Sequence, residues 1–493
     1  MKKLLRECDR IIVLLLKTIL YLALFWIFYR LYAVFNWQLL VKTGNRTMAV
    51  TILSYMFAGY LFVKIYGGYD IGKRKNKPII ISLSLAAILT DIVAYLMLSV
   101  MNTNENNNRL FMFEQPWLLL VVIALQMFLI FVWVHFGNWA FFKIHDPERC
   151  LIITSSQRSL NEISRCVKKY RLQYNISRNA DYRNENLKEI IPQYDTIFIY
   201  DVPVKERTEI AQFCYQSMKN VYINPEMADV VERDSNHVML DDVSLLELST
   251  LGLTAEQRFI KRTSDIIISS LALIIFSPVL LISAIAIKIE DGGPVFFKQN
   301  RATRGGKIFS VYKLRTMKQD VDNSVSTVDD DRITKVGAFL RRFRLDEIPQ
   351  FLNVLGGDMS IVGPRPEMLA NIFNYTTELP EFEYRLRVKA GITGYAQIAG
   401  KYNTSPRDKL VLDLMYIEEY SFWMDVKLIF QTLIVVFKND STEAFDVENK
   451  PPVKVEKKDH RRQTYTYRKD YMVEKTDNMI PEKKQVRRVN GKR

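Results

Sequence analysis

Four apolar runs in the first third of the chain constrain this sequence more than any other feature. They cover roughly Ile11 to Tyr29, Thr47 to Tyr66, Ile79 to Met101 and Pro116 to Phe136. Each is close to the ~20 residues a helix needs to cross a bilayer. In lipid, only helices and closed barrels pair all their own backbone groups. The expectation is therefore a four-span α-helical membrane bundle over residues 1–140. Lys17 and Asp91 are isolated charges inside these runs. A snorkelling lysine and an aspartate that packs helices together is preferred over an ion pair in the bundle interior. No small-residue cleavage site follows the first run, so it reads as a span.

Lys and Arg placement sets the orientation. Lys2, Lys3, Arg6 and Arg10 precede the first run; Lys73, Arg74, Lys75 and Lys77 fill the second loop; Lys143 and Arg149 follow the fourth run. The other two loops carry Lys42 with Arg46, and Arg109. That asymmetry puts the amino terminus, and everything after the fourth span, in the cytoplasm. The formal charge is +14, and residues 451–493 carry 14 Lys and Arg against 6 Asp and Glu, a net of +8. A basic tail of this kind suits an anionic membrane surface, each residue contributing about 1 kcal/mol; nucleic acid is not expected as a partner. With few core residues, 441–493 is expected to be disordered. Cys8, Cys150, Cys166 and Cys214 have neither metal-type nor disulfide spacing and read as free thiols.

Between about 149 and 253, short β-rich runs alternate with helical stretches. Cys150 to Thr154, Thr196 to Tyr200 and Asn220 to Ile223 read as strands; Leu160 to Tyr170 and Lys205 to Met218 read as helices. The rhythm is that of a Rossmann-like α/β module with a parallel sheet. A nucleotide site would want a glycine-rich turn after the first strand. That turn is Ser155-Ser156-Gln157, so a structural or regulatory module is the preferred reading.

A fifth apolar run, Ile266 to Ile287, has basic flanks on both sides: Lys261 and Arg262 before it, Lys288, Lys298, Arg301, Arg304 and Lys307 after it. Ser277-Pro278 lies in its middle, where proline removes a helical hydrogen bond. A re-entrant helix over about 264–288, which enters, breaks and returns to the same face, accommodates both facts. The alternative is an ordinary proline-kinked span.

Chemistry-bearing residues concentrate from 294 to 366, and no histidine lies between Phe259 and Asp440. Covalent or acid–base work there falls to carboxylate, hydroxyl or Lys. Asp346 and Glu347 are adjacent, so on a helix their side chains would diverge by about 100°. Pro349 marks a discontinuity: either the helix continues and Leu345 loses its carbonyl partner, or a new helix starts at the proline. On spacing alone, a solvated pair neutralising Arg341, Arg342 and Arg344 is the preferred reading. Pro364-Arg365-Pro366 is a stiff segment presenting one guanidinium, suited to phosphate, with a surface turn as the plainer reading. Asp425 to Phe437 is an apolar helix with Lys427 and Gln431 on its polar side, either interfacial or part of a core.

Taken in order, KRTSDIII from Lys261, FSP from Phe276, GGPVFFKQNR from Gly292, GKIFSVYKLRTM from Gly306, RLDEIPQFLNVLGGDMSIVGPRP from Arg344 and KAGITGYAQIAGKYN from Lys389 closely resemble the bacterial sugar transferase family. These are the monotopic polyprenyl-phosphate phosphoglycosyl transferases, and the likeness runs from about Phe259 to Phe437. The bundle and α/β module resemble the long members that prime exopolysaccharide, capsule or O-antigen synthesis. The resemblance implies a mostly helical, membrane-seated catalytic domain over 259–440 and a place in the bacterial cytoplasmic (inner) membrane. The implied reaction moves a hexose-1-phosphate from a UDP-sugar to undecaprenyl phosphate and releases UMP. By the same likeness Asp346 is the nucleophile and Glu347 helps hold Mg²⁺. Arg365, Arg341, Lys313 and Arg315 handle phosphate or nucleotide groups. Lys261, Arg262, Ser277 and Pro278 seat the domain among membrane lipids, and a homodimer through the bundle is implied too.

Two stretches depart from the family pattern. Glu290-Asp291-Gly292-Gly293 stands where a serine-rich turn is expected, and Arg301-Ala302-Thr303-Arg304 where an early glycine is expected. Two rival functions remain. A membrane glycosyltransferase would move the sugar alone and release UDP; a scaffold of polysaccharide assembly would do no chemistry.

Overall fold

The computed structural model describes residues 9–35, 46–101, 113, 115–233, 235–248, 252–318, 332–400, 405–436, 463–467 and 472–476. Lys2, Lys3, Arg6, Lys42 and Arg109 lie outside the described residues, as does most of the basic tail. Within that tail, Gln463–Tyr467 and Met472–Thr476 pair as antiparallel strands, where the sequence reading expected none; alternating Thr, Tyr and Val favour an extended chain. The chain divides into two compact units, Met1–Pro225 and Glu226–Arg493.

The first unit begins with α1 (Asp9–Phe35), α2 (Arg46–Tyr66), α3 (Asn76–Met101) and α4 (Pro116–Ile144), each long and apolar enough to cross a membrane. Their packing is tied by one polar knot. Gln126 of α4 is buried, and its Nε2 lies 3.0 Å from the Leu24 carbonyl of α1, 3.2 Å from the Tyr55 hydroxyl of α2 and 3.1 Å from Asp91 Oδ1 of α3. Asp91 is thus a helix-packing aspartate. Interhelical hydrogen bonds of this kind help hold membrane bundles, where lipid supplies no hydrophobic drive.

A four-stranded sheet follows, built from β1 (Glu148–Thr154), β2 (Tyr174–Asp181), β3 (Thr196–Tyr200) and β4 (Asn220–Ile223), with α5 (Gln157–Lys168) and α6 (Val204–Gln216) among its connections. The order is β2-β1-β3-β4 and every neighbouring pair is parallel. β2 escapes the sequence reading because it is an edge strand: YNISRNAD has mostly polar residues and no buried position. Past the carboxyl end of β1, Ser156 caps α5 by accepting from the Ser159 amide at 3.2 Å. Ser155 and Ser159 both donate to the Asp201 carboxylate, which follows β3. Those contacts occupy the switch point of the sheet, where an open α/β fold would take a ligand.

The second unit starts with α7 (Met227–Arg233) and the hairpin β5 (Asn236–Leu240) and β6 (Val243–Glu247). Val230 of α7 shares its core with Leu410, Leu414 and Tyr416, so the packing boundary falls at Pro225/Glu226, ahead of the expected 253. Next comes α8 (Ala255–Asp291), opened by a capping box in which Thr254 and Gln257 bond each other's amides. The run expected to break and return lies in this single helix of 37 residues, with Pro278 inside it. The Ser277 hydroxyl donates to the Ile274 carbonyl at 2.8 Å, the same carbonyl that Pro278 cannot reach for want of an N–H. α8 is the fifth helix long and apolar enough to cross a membrane among the described residues.

The rest of the unit packs against both ends of α8, at Lys261 and Arg262 near its start and at Glu290 and Asp291 at its end. A hairpin, β7 (Phe296–Ala302) and β8 (Ile308–Leu314), leads to α9 (Lys335–Arg342) and α10 (Gln350–Gly356). A short parallel pair, β9 (Met359–Val362) and β10 (Ala390–Thr393), flanks α11 (Leu369–Glu378). Then α12 (Tyr395–Ala399), α13 (Pro406–Glu418) and α14 (Phe422–Val436) close the fold. Leu428 of α14 is buried in the main cluster, so α14 has a core-facing side.

Lys261 and Arg262 belong to this packing. Lys261 is buried, with Nζ 2.6 Å from Asp425 Oδ2 and 3.0 Å from the Tyr416 hydroxyl. Arg262 donates to the carbonyls of Val354 and Leu355 at the end of α10, at 2.5 and 2.8 Å. The expectation that they seat the helix among lipids is corrected: both turn inward and tie α8 to its own domain. Charge-assisted bonds to a partner inside outweigh exposure to headgroups.

Candidate active site

The dyad sits in a break between two helices. α9 ends at Arg342, the chain passes through Arg344 at φ 54°, and Leu345–Glu347 forms a single 3-10 turn before α10 begins at Gln350. The second of the two alternatives therefore holds: a new helix starts at the proline, with Pro349 as its N-cap. A non-glycine residue at positive φ costs about 1 kcal/mol or more and persists where the surroundings enforce it. Here the enforcement is packing on either side. Asn353 of α10 is buried, accepts from the Tyr312 amide at 2.9 Å and donates to the Ser310 carbonyl at 2.7 Å, docking α10 on β8.

The two carboxylates have different surroundings. Glu347 Oε1 accepts from Lys313 Nζ at 2.9 Å and from Arg365 Nη2 at 2.7 Å. Burial opposes its ionisation, but the charges of Arg365 and Lys313 outweigh that and hold it well below the usual carboxylate range. Asp346 takes part in no hydrogen bond or ion pair among the described residues. Burial, then the neighbouring Glu347 charge, push its pKa up to about 6, while Lys313, Arg341 and Arg365 pull it back. One carboxylate is fixed and anionic; its neighbour is held in a cationic surround with its oxygens uncommitted.

Arg365 reaches Glu347 because the backbone after β9 is pinned. The Gly363 amide donates to the Thr393 carbonyl at 2.8 Å and the Gly391 amide to the Pro364 carbonyl at 2.9 Å. The strands come so close there that a Cβ on Gly363 would collide with the Lys389 carbonyl. Glycine is required by that approach. Of the expected phosphate-handling residues, Lys313, Arg341 and Arg365 thus come together around the dyad; Arg341 also donates from Nε to the Thr316 hydroxyl at 2.8 Å. Arg315 does not join them. It is buried and paired with Asp291 at the end of α8, over Gly293, where any side chain would strike its guanidinium. The departure Glu290-Asp291-Gly292-Gly293 is explained by the same contacts, since Glu290 accepts from the amides of Lys335 (2.7 Å) and Val336 (3.2 Å) that start α9.

Two arginines near the dyad were not singled out as site residues from the sequence. Arg301, on β7, donates to the Pro366 carbonyl at 3.0 Å, and burial lowers its pKa to about 10, with Arg365 adding to the effect. Arg385 is buried and donates to the Arg365 carbonyl at 2.9 Å. Arg301 lay within the GGPVFFKQNR stretch, whereas EFEYRLR around Arg385 offers no pattern that sets it apart from a surface turn.

Among the described residues, no group of three or more His, Cys, Asp and Glu is arranged to hold a metal ion. A hard cation such as Mg²⁺ needs fewer, because it is commonly held by one or two carboxylates plus substrate phosphates. The two bonds that reach Glu347 both end on Oε1, and Asp346 is uncommitted, so the donor set fits a cation of that kind.

The family model for bacterial sugar transferases matches residues 256–439. Against the UDP-glucose:undecaprenyl-phosphate glucose-1-phosphate transferase of Caulobacter vibrioides, the chain is 39% identical over 189 residues, covering 37% of this chain and 71% of that protein. The chain belongs to the bacterial sugar transferase family. The similarly named enzyme of Escherichia coli is 42% identical over 208 residues, 41% of this chain and 45% of the relative. The UDP-N-acetylgalactosamine-undecaprenyl-phosphate N-acetylgalactosaminephosphotransferase of Aeromonas hydrophila is 38% identical over 210 residues, 41% and 50% respectively. The chain thus spans about half the length of these last two relatives. For a sugar transferase, the match begins at the start of α8 and contains the whole constellation around Asp346.

Proposed function

We propose that this protein transfers a hexose-1-phosphate from a UDP-sugar to undecaprenyl phosphate, with release of UMP, and so primes synthesis of an exopolysaccharide, capsule or O-antigen. The observation that carries the reading is the asymmetry of the dyad: Glu347 is locked between Lys313 and Arg365, while Asp346 is uncommitted among the same cations. Such an arrangement suits a nucleophile meeting a phosphorus centre, because phosphoryl transfer needs positioning and charge neutralisation more than a strong base.

In the first step an Asp346 carboxylate oxygen attacks the sugar-bearing phosphorus; the P–O bond to the UMP phosphate breaks, and UMP leaves with the bonding pair. In the second, an oxygen of undecaprenyl phosphate attacks the same phosphorus and Asp346 leaves as carboxylate. Lys313, Arg341 and Arg365 neutralise the charge that develops. Mg²⁺, which Glu347 would hold together with donor phosphate oxygens, supplies further charge neutralisation. The first step trades the donor's phosphoric anhydride bond for an acyl phosphate on Asp346 and the second trades that for a new phosphoric anhydride, so the overall exchange needs no outside energy source.

The same reading places the protein in the bacterial inner membrane with both units' soluble parts in the cytoplasm, where nucleotide sugars are made. α8 then follows a re-entrant course, seated in one leaflet and bent at Ser277-Pro278; the hydroxyl bond to Ile274 and the basic flanks on both sides support it. The α/β module is taken as a Rossmann-like structural or regulatory module, and a homodimer through the bundle completes the proposal. The deciding experiment incubates membranes containing the protein with undecaprenyl phosphate, Mg²⁺ and a panel of UDP-sugars. UMP must appear with one of them, and a sugar phosphate must be trapped on the protein when the lipid is withheld. UDP as the product would replace this reading with a glycosyltransferase.

A further inference from the structure

We propose that Arg301 and the buried pair Arg385–Asp413 are positioning residues that aim Arg365 at the reacting phosphates, an inference that rests on the transferase reading above. Pro364 and Pro366 have no N–H, so this segment can be held at those positions only through its carbonyls. Each of three consecutive carbonyls has its own donor. Pro364 O accepts from the Gly391 amide at 2.9 Å, Arg365 O from Arg385 Nη2 at 2.9 Å, and Pro366 O from Arg301 Nη1 at 3.0 Å. Two of the three donors are guanidiniums brought from distant parts of the chain, one from β7 and one from the 3-10 segment after α11.

Both donors are themselves fixed. Arg385, 3% exposed, stands 2.8 Å from Asp413, 2% exposed, on α13, and its guanidinium lies 4.8 Å from the centre of the Phe382 ring. Glu367 lies 3.8 Å from Arg385 and 2.9 Å from Lys409. Arg301 is held by Gln299 Oε1 at 2.6 Å. Asp413 and Glu367 therefore balance Arg385 and Lys409, which leaves Glu347 to pair with Lys313 and Arg365. An ordinary turn would be pinned by backbone bonds; buried charge used on a main-chain carbonyl serves orientation of the one side chain between the prolines. Misplacing a phosphate-binding group by about 1 Å costs up to ~100-fold in rate.

The test uses the full-length protein in lipid nanodiscs, with Arg301→Gln and Asp413→Asn made alone and combined with Arg365→Lys. UMP release and affinity for UDP are both measured. Each single variant is expected to lower turnover by about tenfold to a hundredfold. In the Arg365→Lys background the same changes should cost no more than about threefold, because Arg365 is the group they act through. UDP affinity should follow the same pattern. Losses that multiply in the double variants would overturn the proposal, as would an Arg301→Gln protein with unchanged rate and unchanged UDP affinity. Should Asp413→Asn fail to fold, Arg301→Gln carries the test alone. UDP binding needs no nucleophile, so the coupling stays readable even where turnover by Asp346→Asn has sunk the transferase reading.

Discussion

Two turns in this molecule leave the carboxyl ends of parallel strands, and they end up chemically opposite. After β1 in the first unit, Ser155 and Ser159 spend their hydroxyls on Asp201. After β9 in the second unit, Gly363-Pro364-Arg365 has its backbone satisfied by neighbours and its guanidinium turned toward Glu347. The first turn satisfies its polar groups internally and closes its own crevice. The second pairs its guanidinium with Glu347 and leaves the adjacent Asp346 carboxylate uncommitted beside it. Parallel-strand geometry offers a site in both places; what decides is whether the polar side chains are consumed by the fold.

The largest effect that separates the two turns is expected at Asp346. Asp346→Asn keeps the shape of the side chain and removes the nucleophilic carboxylate, so UMP release should fall by on the order of 10⁴-fold or more, while the protein still inserts in the membrane. The measurement is UMP formation against membrane-inserted protein. Near-normal release would mean that the second turn faces no covalent chemistry, and that the contrast is one of packing only.

The contrast was partly legible in the sequence. The apolar spans, three of the module's four strands and the dyad at a helix break follow from local patterns: runs near 20 residues, β-branched clusters, a proline two residues after Glu347. The partners of the charges did not. Arg315 and Arg365 look alike in sequence, each a basic residue in a motif, yet one is paired with Asp291 and the other with Glu347. Lys261 pairs with Asp425, 164 residues away, and Arg385 with Asp413. Which charge meets which is a property of the closed fold, and spacing along the chain does not encode it.

A pH profile sharpens the comparison at intermediate size. Asp346 must be ionised to attack, and its pKa is raised to about 6 by burial and by Glu347. A raised carboxyl pKa means that the active form is lost as pH falls through that value. The rate of UMP release should be level above about pH 7 and drop about tenfold per unit well below 6. Glu347, held low by Arg365 and Lys313, stays charged throughout that window. A profile flat down to pH 5 would show that Asp346 is not the titrating nucleophile.

The smallest expected effect lies at the closed turn. Asp201→Ala removes the acceptor shared by Ser155 and Ser159, but Ser159 keeps its contact with Ser156 at 2.8 Å, so one partner remains in place. A lost hydrogen bond of this kind costs about 1 kcal/mol. That corresponds to roughly fivefold faster hydrogen exchange of the α5 amides in the full-length protein, because the cap at Ser156 is loosened locally. UMP release should stay within about twofold of the parent, since the closed turn takes no part in phosphoryl transfer. If release instead fell tenfold while α5 exchange was unchanged, Asp201 would be serving the reaction, and the first turn would have to be reread as a second functional site.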